Sequence, residues 1–295
     1  MKKIFALTLL MYSLTAASQQ KIVTSAIVKT RTEVNFPENP AGPGGPGDAG
    51  GGDRVVIIGG PGGGGMESNN TTYFKPGWAK ISSESDFGNN TVIIDEKNKK
   101  TTTLIEAMGR KQGFYSTEAD EEEIRKQMQT RMDSMRKANG QPPMVMNNSE
   151  MPEPEIVYLD ETKKIAGYNC KKAVLKIKGR NGEVNETIVW YCPDFKMADG
   201  YPLGGGKRGR VMGGGPYGGD LVGLEKINGF PMAYEFSRSN GFKLKSEVTK
   251  LELDATIDDK VFEIPKGFEV KALKDMRGPG GSGTFDIRIT APDGN

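Results

Sequence analysis

The chain has 295 residues, 40 of them basic and 38 acidic, with two cysteines and no histidine. The missing imidazole excludes Ser-His-Asp and Cys-His mechanisms, histidine acid–base catalysis, and His-ligated zinc or copper sites. Two cysteines are too few for a thiolate zinc site, and near-neutral charge supplies no general attraction to nucleic acid or to an anionic membrane surface.

Residues 1–18 predict a secretory signal peptide. Lys2 and Lys3 precede an apolar run from Ile4 to Ala16, and Ala16-Ala17-Ser18 offers a small-residue cleavage site. Removing Lys2 and Lys3 leaves 38 basic against 38 acidic residues, a formally neutral mature chain. The expected location is outside the cytoplasm, periplasmic or extracellular. No cysteine near the cleavage site provides a lipid anchor, and no later segment is apolar enough to span a bilayer.

Residues 19–36, rich in Val, Ile and Thr, predict an N-terminal strand. Residues 37–66 are dominated by Gly and Pro and read as an insertion. Their VVIIGGPGGGG piece lacks the Gly-Lys-Ser/Thr ending of a phosphate-binding loop. Residues 67–271 then read as one β-rich domain. TTYFK, WAKISSE, TVIIDEK, KTTTLIE and GFYST follow in close succession, and their short connections predict an antiparallel meander.

One helix is predicted over 118–137. Thr117 is its expected cap, with Asp120 three residues on, acids in the first turn and Arg136 and Lys137 in the last. Ile124, Met128, Met132 and Met135 recur at helical spacing. This stripe is expected to face the concave side of the sheet, either as ordinary core or as contacts for an apolar ligand. Met144, Met146 and Met151 lie in the loop that follows. Soft thioethers there suggest copper handling, weighed against a plain Met-containing loop.

IVYLD, GYNCKKAVLKIK, ETIVWYC, MAYEFS and GFKLKSEVTKLEL form a second β block, interrupted by a Gly-rich insertion at 202–220. A three-residue turn Arg180–Gly182 places Cys170 directly opposite Cys192 across a hairpin. In an oxidising compartment that geometry predicts a disulfide, the alternative being two buried thiols. Residues 272–295 read as a flexible tail.

IAGYNCKKA, VWYCPDF, NGFPMAYEF and DDKVFEIPKGFEV, in that order, resemble a secreted Bacteroidota-type family carrying a domain of unknown function, and more distantly the GLPGLI family. The eponymous GLPGLI piece is absent; Gly229-Phe230-Pro231 is its nearest echo. The resemblance spans about residues 69–271. It implies an architecture similar to the periplasmic lipoprotein-carrier, or LolA-like, fold: a curved antiparallel sheet or half-open β-barrel packed on one or two helices, mainly β. It carries over no catalytic residues.

The expected function is non-enzymatic, with no cofactor: binding of a lipid-like apolar or amphipathic ligand in a sheet groove. The alternatives are an envelope protein-interaction module and methionine-based copper handling. Adjacent acids such as Asp258-Asp259 and Glu121-Glu122-Glu123 are expected to mark a turn and a helix start, not a catalytic carboxylate pair.

Overall fold

A computed structural model describes residues 20–35, 65–140, 153–178, 183–198, 223–238 and 241–276. The signal peptide, the Gly-rich insertions and the Met144–Met151 loop lie outside them.

The N-terminal strand is split at Thr24 and Ser25. β1 (Lys21–Val23) pairs in parallel with β11 (Phe195–Met197), forming a two-stranded sheet. β2 (Ala26–Asn35) joins the large sheet. Its Ala26, Val28, Thr30 and Val34 are buried and alternate with exposed Lys29 and Arg31, the period of a strand with one covered face.

The predicted meander follows: β3 (Gly65–Lys75), β4 (Trp78–Ser85), β5 (Gly88–Asp95), β6 (Lys100–Ala107) and β7 (Arg110–Thr117), each antiparallel to the next. The β3–β4 turn is Pro76-Gly77, with Gly77 at φ 78°. Proline presets the first turn position and glycine supplies the positive φ of the second. This fixes Tyr73 opposite Lys80 and Thr71 opposite Ser82.

The second block comprises β8 (Glu155–Ile165), β9 (Tyr168–Lys178), β10 (Val184–Cys192), β12 (Phe230–Ser237), β13 (Lys243–Leu253) and the short β14 (Glu269–Ala272). The twelve-stranded sheet runs β14-β7-β6-β5-β4-β3-β2-β13-β12-β10-β9-β8 and is not closed. It is antiparallel throughout except where β14 runs parallel to β7. The fold is mainly β, as the strand pattern implies.

The sheet curls. β8 and β13 stand four places apart in the strand order, about 19 Å on a flat sheet. Yet Lys163 on β8 makes an ion pair of 2.7 Å with Glu247 on β13. Inside this curl lies a core that includes Val23, Cys170, Cys192, Phe195, Phe230 and Met232. The Phe195 and Phe230 rings lie 5.4 Å apart, and Tyr168 meets Phe195 edge-on at the same distance. A polar row crosses four neighbouring strands: Asn70 donates to Thr30 and Thr32, and Thr32 and Ser246 hydroxyls lie 3.0 Å apart. Tyr234 hydrogen-bonds Ser246 at its end.

Gly65 and Met66 already belong to β3, while Ala272 and Leu273 are buried. Gly65 and Met66 pair with β2, and Ala272 pairs with Tyr115 of β7.

α1 (Glu118–Ala138) has the predicted cap. The Thr117 hydroxyl accepts from the Asp120 amide at 3.2 Å, and the Asp120 carboxylate accepts from the Thr117 amide at 3.0 Å. The first turn is tied to its surroundings by Lys274–Asp120 at 3.4 Å, Lys99–Glu118 at 2.7 Å and Ser116–Glu121 at 2.9 Å. Beyond it, the described side chains are mostly exposed.

Candidate functional site

The predicted apolar stripe of α1 is not assembled into a described groove. Ile124 is half-buried and Met135 is 49% exposed; the side chains of Met128 and Met132 lie outside the described set. No described helix is long and apolar enough to cross a membrane.

The cysteines lie on neighbouring strands, and the disulfide expected between them is not formed in the structure. β10 pairs with β9 so that Val184 faces Lys178 and Tyr191 faces Lys171, the last pair of the ladder, and Cys192 and Cys170 are the next residues on each strand. Both are fully buried in one apolar cluster and both are free thiols in the structure. Burial pushes each thiol up to about 11, and the neighbouring Cys192 adds to the effect on Cys170. A thiol held this way keeps its proton at neutral pH. Gly229 abuts this site: its φ is 157°, and a Cβ there would sit 2.3 Å from the Cys192 carbonyl oxygen. Gly229 thus permits a close backbone approach.

The adjacent acids have separate structural tasks. Asp258 caps the 3-10 turn Asp259–Phe262 by accepting from the Lys260 amide at 2.9 Å. Asp259 pairs with the Lys75 ammonium, and Glu121 lies in the first turn of α1. Among the described residues no cluster of three acids or cysteines has metal-site geometry.

A cleft of about 520 Å³ opens elsewhere, on the face of β3 and β4. Thr71, Tyr73, Lys80, Ser82 and Glu84 form its floor. They share one face because the hairpin register sets Tyr73 beside Lys80 and Thr71 beside Ser82. Its wall is the segment from Lys260 to Lys266, including Val261, Ile264 and Pro265.

This wall is anchored on its inner side. Phe262 is buried with Ile93 and Leu104, lies 5.4 Å from the Trp78 ring, and carries the Lys75 ammonium 5.0 Å above it. Lys75 also donates to the Ile257 carbonyl at 3.1 Å. Lys80 reaches across the cleft and donates to the Val261 carbonyl at 2.8 Å.

Lys80 is the unusual group here. It is half-buried, and burial pulls its ammonium below the ordinary lysine range. Among the described residues no carboxylate lies within ion-pair distance of it, whereas Lys75 on the same hairpin has Asp259. The reading of the residues missed this cleft. The Pro-Gly turn indicates that Lys80 shares a face with Trp78, but its cover comes from residues some 180 positions later.

No protein-family model matches this chain, and no curated protein does. Solved structures give distant likenesses. A structure of PNGF-II is 16% identical over 85% of this chain and 32% of its own, with a TM-score of 0.32. MucB in complex with MucA(peri) is 8% identical over 82% of this chain and 54% of its own, with a TM-score of 0.35. A putative outer membrane lipoprotein-sorting protein domain from Vibrio parahaemolyticus is 8% identical over 81% and 89%, at 0.26. The chain therefore spans about a third of PNGF-II and about half of MucB. Likenesses at this level define no activity for it.

Proposed function

We propose that this chain is an exported, non-catalytic binding protein of the cell envelope that holds an amphipathic ligand against its sheet. The observation that carries the reading is the β3–β4 cleft, which combines hydroxyls and cations with the apolar edges of Tyr73, Val261, Ile264 and Pro265. The concavity is open and offers polar and apolar contacts side by side. The signal-like residues 1–18 and the absence of histidine support an exported binder over a His-dependent enzyme. Denaturing extraction and mass spectrometry of protein purified from its native host test the reading. A co-purifying amphiphile in near-stoichiometric amount is expected. Ligand-free protein that also fails to bind added amphiphiles would overturn it.

A second reading, a protein-interaction module, is favoured by β8 and α1. β8 occupies an outer position in the sheet, with Tyr158 46% exposed, and α1 is mostly exposed beyond its first turn. Outer strands offer backbone groups to a partner strand. The charges and the irregularity between Leu159 and Thr162 also fit an edge built to discourage such pairing.

A further inference from the structure

From the position of Lys80 we infer that the cleft takes an anionic head group, so that its ligand is an anionic amphiphile bound head-inward at β4. The inference rests on the binding-protein reading above and specifies the chemistry of that site.

A half-buried ammonium has lost part of its hydration and is ordinarily compensated by a carboxylate. Lys80 has the Val261 carbonyl, one acceptor for three N–H donors. At the rim two further cations, Lys260 and Lys266, are balanced by the acids Glu84 and Glu263, all four exposed, so Lys80 is the sheltered charge of the cleft. A carboxylate or phosphate oxygen at Lys80 would complete its hydrogen bonding and pair its charge. The Thr71 and Ser82 hydroxyls on the same floor offer further donors to such an oxygen.

The apolar part of the ligand is specified by the wall. Ile264 is 42% exposed although its neighbour Phe262 is buried in the sheet. Phe262 anchors the segment, which leaves Ile264 and Pro265 free to cover a short chain or ring. Charge complementarity at Lys80 and this uncovered apolar edge together select an anionic amphiphile over a neutral one.

The test is calorimetric titration of the full mature chain with octanoate, octyl phosphate and uncharged octyl glucoside, each below its micellar concentration. Octanoate or octyl phosphate is expected to bind at least about tenfold more tightly than octyl glucoside, the size of one charge-assisted hydrogen bond. The stronger of the two acids identifies the head group as carboxylate or phosphate. Lys80→Met should weaken anion binding by at least about tenfold and leave octyl glucoside unchanged, while Lys80→Arg retains most of it. Circular dichroism and thermal unfolding establish that both variants fold. Binding that is equal for charged and uncharged probes, or unaffected in Lys80→Met, would overturn this inference while leaving amphiphile binding intact. No binding of any probe would remove both this inference and the reading beneath it.

Discussion

The cysteine core and the Lys80 cleft both take titratable groups out of water, and they meet the cost differently. Around Cys170 and Cys192 most neighbours are apolar, with Phe195, Phe230 and Met232 in the same cluster and Asp194 a charged group nearby. The thiols respond by keeping their protons, and nothing remains unsatisfied by charge. At Lys80 the surroundings are half open and hydroxyl-bearing, and the ammonium keeps a single carbonyl partner. The first arrangement closes a core. The second leaves a place for a ligand. Desolvation acts at both, so it does not by itself mark a site; an incomplete set of partners does.

Large perturbations should separate the two regions most clearly. Phe230→Ala removes a fully buried ring from the cysteine core. It should lower unfolding free energy by about 3–5 kcal/mol in a urea titration. A loss below about 1 kcal/mol would mean that this cluster is not the centre of the fold.

The cysteine register predicts that the exported protein carries a Cys170–Cys192 disulfide, although the structure holds both as thiols. Non-reducing peptide mapping should link the two peptides, and reduction should cost about 3 kcal/mol of stability. Alkaline titration sharpens the point. Each folded thiol is raised from an ordinary 9.0 to about 11, so the native state binds its protons more tightly than the unfolded chain. Their contribution to stability is therefore complete below about pH 9 and is lost as pH rises through about 11. The reduced protein should show this loss relative to the oxidised one, which has no thiol to titrate. Identical alkaline profiles before and after reductant would count against the disulfide.

Phe262→Ala attacks the cleft from its inner side. It should cost about 3 kcal/mol, the low end for a buried ring, because Tyr73, Trp78, Ile257 and Val261 around it are only half-buried. Hydrogen exchange should rise in residues 257–268 more than around Cys192. Equal acceleration in both places would show that the wall does not open separately from the core.

The smallest effect is expected at Lys80. Lys80→Met should change stability by less than about 1 kcal/mol, since the group is well solvated on one side and its charge is not paired. Thermal unfolding measures this. A severe loss would make Lys80 a structural support, not a group kept for a ligand.

Local features of this protein were readable from residues close together in the chain. Pro76-Gly77 dictates the β3–β4 register, Thr117 and Asp120 start α1, and the turn at 180–182 implies the observed β9–β10 pairing, although the turn lies outside the described residues. Each depends on dihedral preferences or hydrogen bonds spanning a few residues, and those are written in residue type. Asp258 and Asp259 were recognisable as turn residues for the same reason. The broad β-rich class followed from the succession of short Val, Ile and Thr-rich segments.

Only the tertiary structure decided the rest. The N-terminal strand divides, with β1 beside β11 and β2 between β13 and β3, because the apolar alternation of a strand names a face and not a neighbour. The curl that brings Lys163 to Glu247 arises from the whole sheet, not from either strand. The Met stripe of α1 specified an amphipathic pattern without specifying a partner, and Met135 is left about half exposed. The cleft depends on residues 257–266 crossing β3 and β4, anchored by the buried Phe262, which brings the Val261 carbonyl to Lys80. Contacts between segments so far apart are selected by global packing, so the residue that best marks a site, Lys80, looked like any other strand lysine until its cover was in place.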